Sequence, residues 1–194
     1  MRDTDLGQFV QTAAAAFAAS APPGSDAERA SAEIFRRCQG RPGRPGAAAP
    51  ARLPVCDWLD PALARAQGTG RAALAAALSR LAPRLTWGRR TRADPADQPF
   101  YDGHANAMIL GPGGLEERDD LWFGLSLIAP RVTYPDHHHP PEEVYLPLAP
   151  GEWWNARMDW TDPGWTGLIY NPPGILHAMR AGATPFLALW VLPL

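Results

Sequence analysis

Between Tyr134 and Trp154 the chain reads YPDHHHPPEEVYLPLAPGEWW. Three of its five histidines stand side by side there, followed at once by two carboxylates and a tyrosine. His137, His139, Glu143 and Tyr145 all occupy odd positions. Side chains of an extended segment alternate faces, so these four converge on one side and His138 and Glu142 face the other way. Pro140 and Pro141 lie between the two pairs, where a turn or bulge would disturb the phase. Two imidazoles, a carboxylate and a phenol on one face are the donor types that hold a divalent cation. Their chemistry is to leave coordination positions open, where a substrate oxygen binds and is polarised.

Such a group needs a rigid support, and the two halves of the chain offer different ones. Over residues 4–20, Leu6, Phe9, Val10, Ala13, Ala14 and Phe17 recur at helical spacing. Ser25 with Glu28 reads as a capping box for a second helix through about Arg37. GRPGRPGAAAPARLP (40–54) reads as a loop or linker. Asp60-Pro61 opens a short helix with Pro at its first position, and Thr69 caps another whose stripe of Leu74, Leu78 and Leu81 stops at Pro83. From Trp87 onward short β-branched or apolar runs alternate with Gly, Pro and Asp turns. Strands are expected at 104–111, 121–129, 131–139, 143–148, 155–160, 166–171 and 184–192. The division is therefore a helical region, 1–86, packing on a β unit, 87–194, and the fold class is mainly β: a small barrel or jelly roll.

Composition narrows the function. The 194 residues suit one medium domain. A net charge of −2 gives no broad basic surface for nucleic acid, and all 18 basic residues are Arg. The N-terminal stretch lacks a basic region before an apolar run and reads as a helix rather than a signal peptide. No run is long and apolar enough to span a bilayer, so a cytoplasmic protein without membrane partners is the expectation. Cys38 and Cys56 are read as reduced thiols. His104 opens a strand from which it could reach the cavity, but it reads first as a satisfied core histidine; His138 and Glu142 read as solvated, Arg180 as either a carboxylate-orienting or an exposed residue, and Asp136 as a group that could orient an imidazole.

His137-x-His139-x-x-x-Glu143, with Pro172-x-Gly174-x-x-His177 later, resembles the two motifs of the cupin superfamily. Three places depart from those motifs. Arg131 stands where a Gly precedes the first His by six residues, Gly151 comes one residue late, and Ala181 replaces an Asn after the last His. Over about residues 98–194, YPDHHHPPEEVYL, GEWWNA and YNPPGILHAMR closely resemble the cupin-type dimethylsulfoniopropionate (DMSP) lyases. That resemblance implies a cupin β-barrel behind a helical layer. It also implies one divalent metal held by His139, Glu143 and His177. Tyr145 would be close enough to coordinate or to act as base, with Tyr134 and His137 beside the substrate.

The activity implied is a carbon–sulfur lyase, a β-elimination of DMSP to dimethyl sulfide and acrylate. A proton leaves the carbon next to the carboxylate, and a cation near that carboxylate stabilises the developing charge. A phenol with pKa near 10 is a poor base until a neighbouring cation favours its phenolate. Tyr145 is the first candidate for this base and Tyr134 its competitor. The sulfonium end calls for aromatic faces, to be drawn from Trp122, Phe123, Trp153, Trp154, Trp160, Trp165, Tyr170 and Trp190. Iron(II), zinc, manganese, cobalt or nickel would all suit the ligands. DMSP is the expected small-molecule partner, and a homodimer is compatible with the sequence. Two rivals stand: another cupin metalloenzyme, a dioxygenase or isomerase with His137 as a true ligand, and a metal- or small-ligand-binding module without turnover.

Overall fold

A computed structural model of the chain describes residues 2–40, 42–91 and 93–194. Four helices dominate the first part of the chain, α1 (Thr4–Ser20), α2 (Asp26–Gln39), α3 (Leu59–Arg65) and α4 (Ala72–Leu81), and the short α5 (Gln98–Gly103) lies within the β half. Asp3 caps α1, accepting from the Leu6 amide, and Ser25 caps α2, accepting from the Glu28 amide, as the sequence pattern requires. Glu28 departs from the capping box by accepting from Gly24 N instead of from the cap residue. Pro61 is the third residue of α3 rather than its first, because a 3-10 turn over Pro54–Trp58 leads directly into the helix. Thr69 accepts from Arg71 N just ahead of α4, whose flanking cap residue is Arg71.

Apart from Arg41, which lies outside the described residues, the Pro/Gly-rich 40–54 segment is tied down. Its two-residue strand β1 (Arg44–Pro45) pairs with β4 (Glu116–Glu117). Gly46 N donates to Leu115 O, and Ala51 N donates to Leu85 O.

The remaining strands are β2 (Trp87–Gly88), β3 (His104–Leu110), β5 (Leu121–Ile128), β6 (Thr133–His137), β7 (Glu143–Pro147), β8 (Glu152–Asn155), β9 (Met158–Thr161), β10 (Ile169–Asn171), β11 (His177–Arg180) and β12 (Phe186–Pro193). They form two sheets, not one closed ring. The large sheet runs β1-β4-β3-β5-β12-β7-β10, with β2 on β3; the small one runs β6-β11-β8-β9. The expected 155–160 strand is instead a hairpin, β8 to β9, turning at Ala156 and Arg157. Arg157 N donates to the Asn155 side chain at that turn. Strand β11 was not foreseen. It is four residues long with no alternation of burial, too short a run to stand out from the Pro-Gly turn before it.

Period-two alternation makes the large sheet two-sided. Leu187, Leu189 and Val191 of β12, Val144 and Leu146 of β7, and Phe123, Leu125 and Leu127 of β5 pack with α1–α4 in one core. Phe123 meets Phe9 of α1 and Phe35 of α2, with ring centroids 5.4 and 5.9 Å apart. The intervening residues, Tyr145, Ile128, Phe186 and Ala188, face the small sheet's Tyr134, Trp153 and Met179 in a second core. Each fully buried large apolar side chain contributes roughly 1.5–3 kcal/mol, so both faces of the large sheet are held and its inner face is a rigid floor.

Two backbone details shape that floor. Arg131, at the position where the cupin motif has Gly, lies at φ 64°, a left-handed conformation that explains the motif's preference. Gly124 is the register partner of Trp190, and a Cβ there would overlap the indole ring and lie 2.6 Å from Ala107 O. Gly124→Ala is therefore expected to displace Trp190 and destabilise the fold by about 1–3 kcal/mol, read as a lower midpoint in urea unfolding.

Candidate metal centre and its cavity

The site sits between the sheets where the chain crosses from one to the other. His137 ends β6 in the small sheet, and Glu143 and Tyr145 belong to β7 in the large one. The His-rich stretch is therefore not one extended strand. Pro140 and Pro141 break the ladder, and residues 138–142 turn the corner. Because the inner faces of the two sheets look at each other, the odd-numbered residues still meet. Tyr134, at an even position, joins them because a bulge opposite Met179 and His177 shifts the phase within β6. His177 lies directly across from His137 in register.

His139, Glu143 and His177 come together, with candidate ligand atoms all within 4.8 Å of one another. His139 Nε2 is 3.1 Å and His177 Nε2 is 3.3 Å from Glu143 Oε2. Each ring is aimed by the chain next to it. Nδ1–H of His139 donates to Pro141 O, that of His177 to Ile175 O and that of His137 to Pro135 O, each at 2.9 Å. With Nδ1 spent, the neutral rings of His139 and His177 turn an Nε2 lone pair toward Glu143. His177 Nε2 is buried and has no hydrogen-bond partner. Two lone pairs thus face one buried carboxylate oxygen, an arrangement that needs a cation, and the donor set fits a divalent metal. His137 stands outside the three-ligand group, its ring 4.0 Å from that of His177.

Electrostatics agree with the geometry. Burial raises the Glu143 carboxyl, but the close approach of the His139 and His177 imidazoles outweighs it and brings its pKa down to about 2. Burial lowers His139, yet its contacts with Glu143 win and lift it above the usual 6.5. Burial, with the neighbouring His177 ring, holds His137 down to about 3, a neutral imidazole. A histidine raised in the folded state contributes stability below pH 6.5 that is lost as the pH rises through its folded pKa. A metal competes with that same proton. The Tm gap between metal-loaded and metal-stripped protein should therefore widen from about pH 6 to about pH 8, as differential scanning fluorimetry would show.

The group opens into a cavity of about 830 Å³ whose wall includes His137, His139, Glu143, Tyr134, Tyr145, Trp122 and Trp190. Both tyrosines are buried. Burial and the Glu143 charge keep Tyr145 well above its usual range, and burial pushes Tyr134 to about 12. Of the aromatic residues proposed for a sulfonium, Trp122 and Trp190 line the cavity. Phe123 faces the helices, and Trp153 packs on Tyr145 and Phe186 at 5.9 and 4.7 Å. Tyr170 donates to Glu142 on the helix side, and Trp160 lies under Arg180.

Glu142 is not solvated: it binds Arg29 of α2 and holds the helical layer to β7. His138 is exposed, and Arg180 pairs with Glu152 at the surface. His104 is a fully buried, satisfied histidine, its Nδ1 facing Phe100 O and its Nε2 accepting from Arg90 N. Backbone carbonyls aim the imidazoles, the role first considered for Asp136. The cysteines are free and buried.

Several polar groups escaped the sequence reading. Trp190 Nε1–H donates to Ser126 Oγ, Ser126 to Asn106 Oδ1, and Asn106 Nδ2 to the Tyr134 oxygen, at 3.1, 2.8 and 3.1 Å. Asn155, across from His177, donates to Asn171, across from Glu143, and so bridges the two sheets behind the ligands. Asn106 and Ser126 were detectable as polar interruptions in the apolar runs HANAMIL and LWFGLSLI.

Residues 26–188 match the sequence profile of the dimethylsulfoniopropionate lyase family. The chain belongs to the DMSP lyase family. DddQ of Ruegeria pomeroyi, a dimethylsulfoniopropionate lyase, is 36% identical over 110 residues, covering 55% of this chain and 51% of that protein. DddL of Cereibacter sphaeroides is 37% identical over 107 residues, covering 55% and 44%. The chain thus spans about half the length of these curated relatives. The crystal structure of Ruegeria pomeroyi DddQ superposes with a TM-score of 0.74 at 22% identity, over 99% of this chain and 92% of that one. That likeness establishes the fold of this DMSP lyase family member: a mainly β domain of two facing sheets behind N-terminal helices, in keeping with the jelly-roll expectation. Among the described residues no helix is long and apolar enough to cross a membrane.

Proposed function

We propose that this protein is a metal-dependent DMSP lyase. The observation that carries the reading is the convergence of His139, Glu143 and the buried His177, with His139 and Glu143 on the wall of a cavity that also holds two buried tyrosines, in a chain of this family. His139, Glu143 and His177 would hold one divalent ion, with Tyr145 beside Glu143 as a further neighbour. Iron(II), zinc, manganese, cobalt and nickel all suit nitrogen and oxygen donors. The ion supplies positive charge that favours the phenolate of a nearby tyrosine and the developing negative charge on a substrate carboxylate.

The protein does the rest. Tyr145 Oη takes the proton from the carbon next to the carboxylate. That electron pair becomes the second bond of the alkene, the carbon–sulfur bond breaks, and dimethyl sulfide leaves with acrylate as the other product. Tyr134, fixed by Asn106, and the neutral His137 line the substrate space. Trp122 and Trp190 offer ring faces to the sulfonium, each worth roughly 0.5–2 kcal/mol. In this reading residues 87–194 carry the site, and residues 1–86 form a helical layer on the far side of the large sheet. His137 lies outside the ligand group, which favours the lyase over a four-ligand oxygenase. The test is headspace detection of dimethyl sulfide from purified, metal-loaded protein given DMSP; no gas with any of the five metals would refute it.

A further inference from the structure

We propose that Arg90 is a carboxylate anchor in the cavity, gripping the acid end of the substrate together with the Tyr134 hydroxyl; the inference rests on the lyase reading for its substrate but not for its ligand class. Arg90 follows β2 and lines the cavity with Tyr134 and His137. Its guanidinium lies against two aromatic rings, with Cζ 5.5 Å from the Phe100 centroid and 5.3 Å from the Tyr134 centroid. Such stacking orients a planar cation without using its N–H groups. Nη1 is buried and has no hydrogen-bond partner, whereas the neighbouring Arg89 is paired with Asp102. A buried donor left unmade is costly, and native proteins keep few of them.

The support around Arg90 is specific. The Arg90 amide donates to His104 Nε2 at 2.9 Å. His104 is itself stacked on Phe100 at 3.8 Å and 8°. A fully buried histidine thus spends one nitrogen on holding this backbone in place.

The second donor follows from the polarity of the Trp190 chain. An indole N–H can only donate, so Ser126 accepts from it and passes its own proton to Asn106 Oδ1. Asn106 Nδ2 then occupies the Tyr134 oxygen. The Tyr134 O–H is left to give, next to a guanidinium that also only gives. Two donors side by side on one stretch of the wall define an anion subsite. It adjoins the metal ligands through His137, whose ring is 4.8 Å from that of Tyr134 and 4.0 Å from that of His177. The planar fork of an Arg matches a carboxylate, and a short-chain carboxylate is the ligand class.

The experiment is calorimetric titration of metal-loaded protein with propionate, and with propionamide as the neutral isostere. Wild type should bind propionate and bind propionamide more weakly. Arg90→Met should raise the propionate Kd about tenfold or more with metal content unchanged, and Arg90→Lys should recover part of the loss. Because the His104 contact is made by the backbone, the variants keep it. If Arg90→Met does not fold, Arg90→Gln takes its place. With DMSP, the loss should appear mainly in KM. Propionate binding that is undetectable in wild type, or unchanged in Arg90→Met, overturns the anchor. Arg90-dependent propionate binding with no dimethyl sulfide from wild type would keep the anchor and remove DMSP as the substrate. Dimethyl sulfide production with an unchanged KM in Arg90→Met would do the reverse.

Discussion

Glu143→Gln protein should fold and bind metal at least about 100-fold more weakly than wild type, with dimethyl sulfide production falling in proportion. Glu143 is 3% exposed, and both ligand imidazoles converge on one of its oxygens. An amide keeps the shape and removes the charge. It also offers an N–H to the lone pairs that would otherwise share a cation, so the variant satisfies His139 and His177 internally and loses the reason to take up metal. Equilibrium dialysis with metal analysis reads the first effect and headspace chromatography the second. A variant with full metal content and full activity would remove Glu143 from the ligand set and leave the centre without its only carboxylate.

Tyr145→Phe isolates the other half of the chemistry. The side chain is 2% exposed, its ring stands 5.9 Å from Trp153 and 6.5 Å from His177, and Phe preserves that packing. Loss of a general base is worth about 10²–10⁴ in rate. The expected outcome is a fall of that size in kcat with metal content near wild type. Tyr134→Phe is the matched control. It breaks the contact with Asn106 and leaves Tyr145 untouched, so a smaller fall, weighted toward KM, is expected. If Tyr145→Phe turns over normally and Tyr134→Phe does not, the base is Tyr134.

How much of this was legible beforehand depends on the range over which each signal acts. The caps of α1 and α2, Asp3 and Ser25, are local, and the second was read directly. The parity of His137, His139, Glu143 and Tyr145 was read too, but for a single strand. The structure reaches the same convergence by a corner between two sheets, because Pro140 and Pro141 cannot continue a ladder. Tyr134 entered only through family likeness, since a bulge in β6 moves it onto the cavity face and bulges leave no period. Strand β11 is brief and uniformly covered, yet it delivers His177. Arg90 could not be found from its neighbours in sequence. Its setting is made by Phe100, His104 and Tyr134, which only the tertiary fold brings around it. The 40–54 segment was read as a free connection because Gly and Pro signal the lack of regular structure, whereas its anchorage is to backbone atoms far along the chain.

The three rings at the centre are aimed by the peptide carbonyls of residues 135, 141 and 175, and this has a bearing on how such a site can evolve. A carbonyl oxygen is the one acceptor that no point mutation deletes. Lineages can exchange the side chains at those three places freely, so long as the local path of the chain endures, and the imidazoles will keep their bearing. Drift in this neighbourhood should therefore reshape the walls of the chamber, and with them the choice of guest, well before it blunts the grip on the ion.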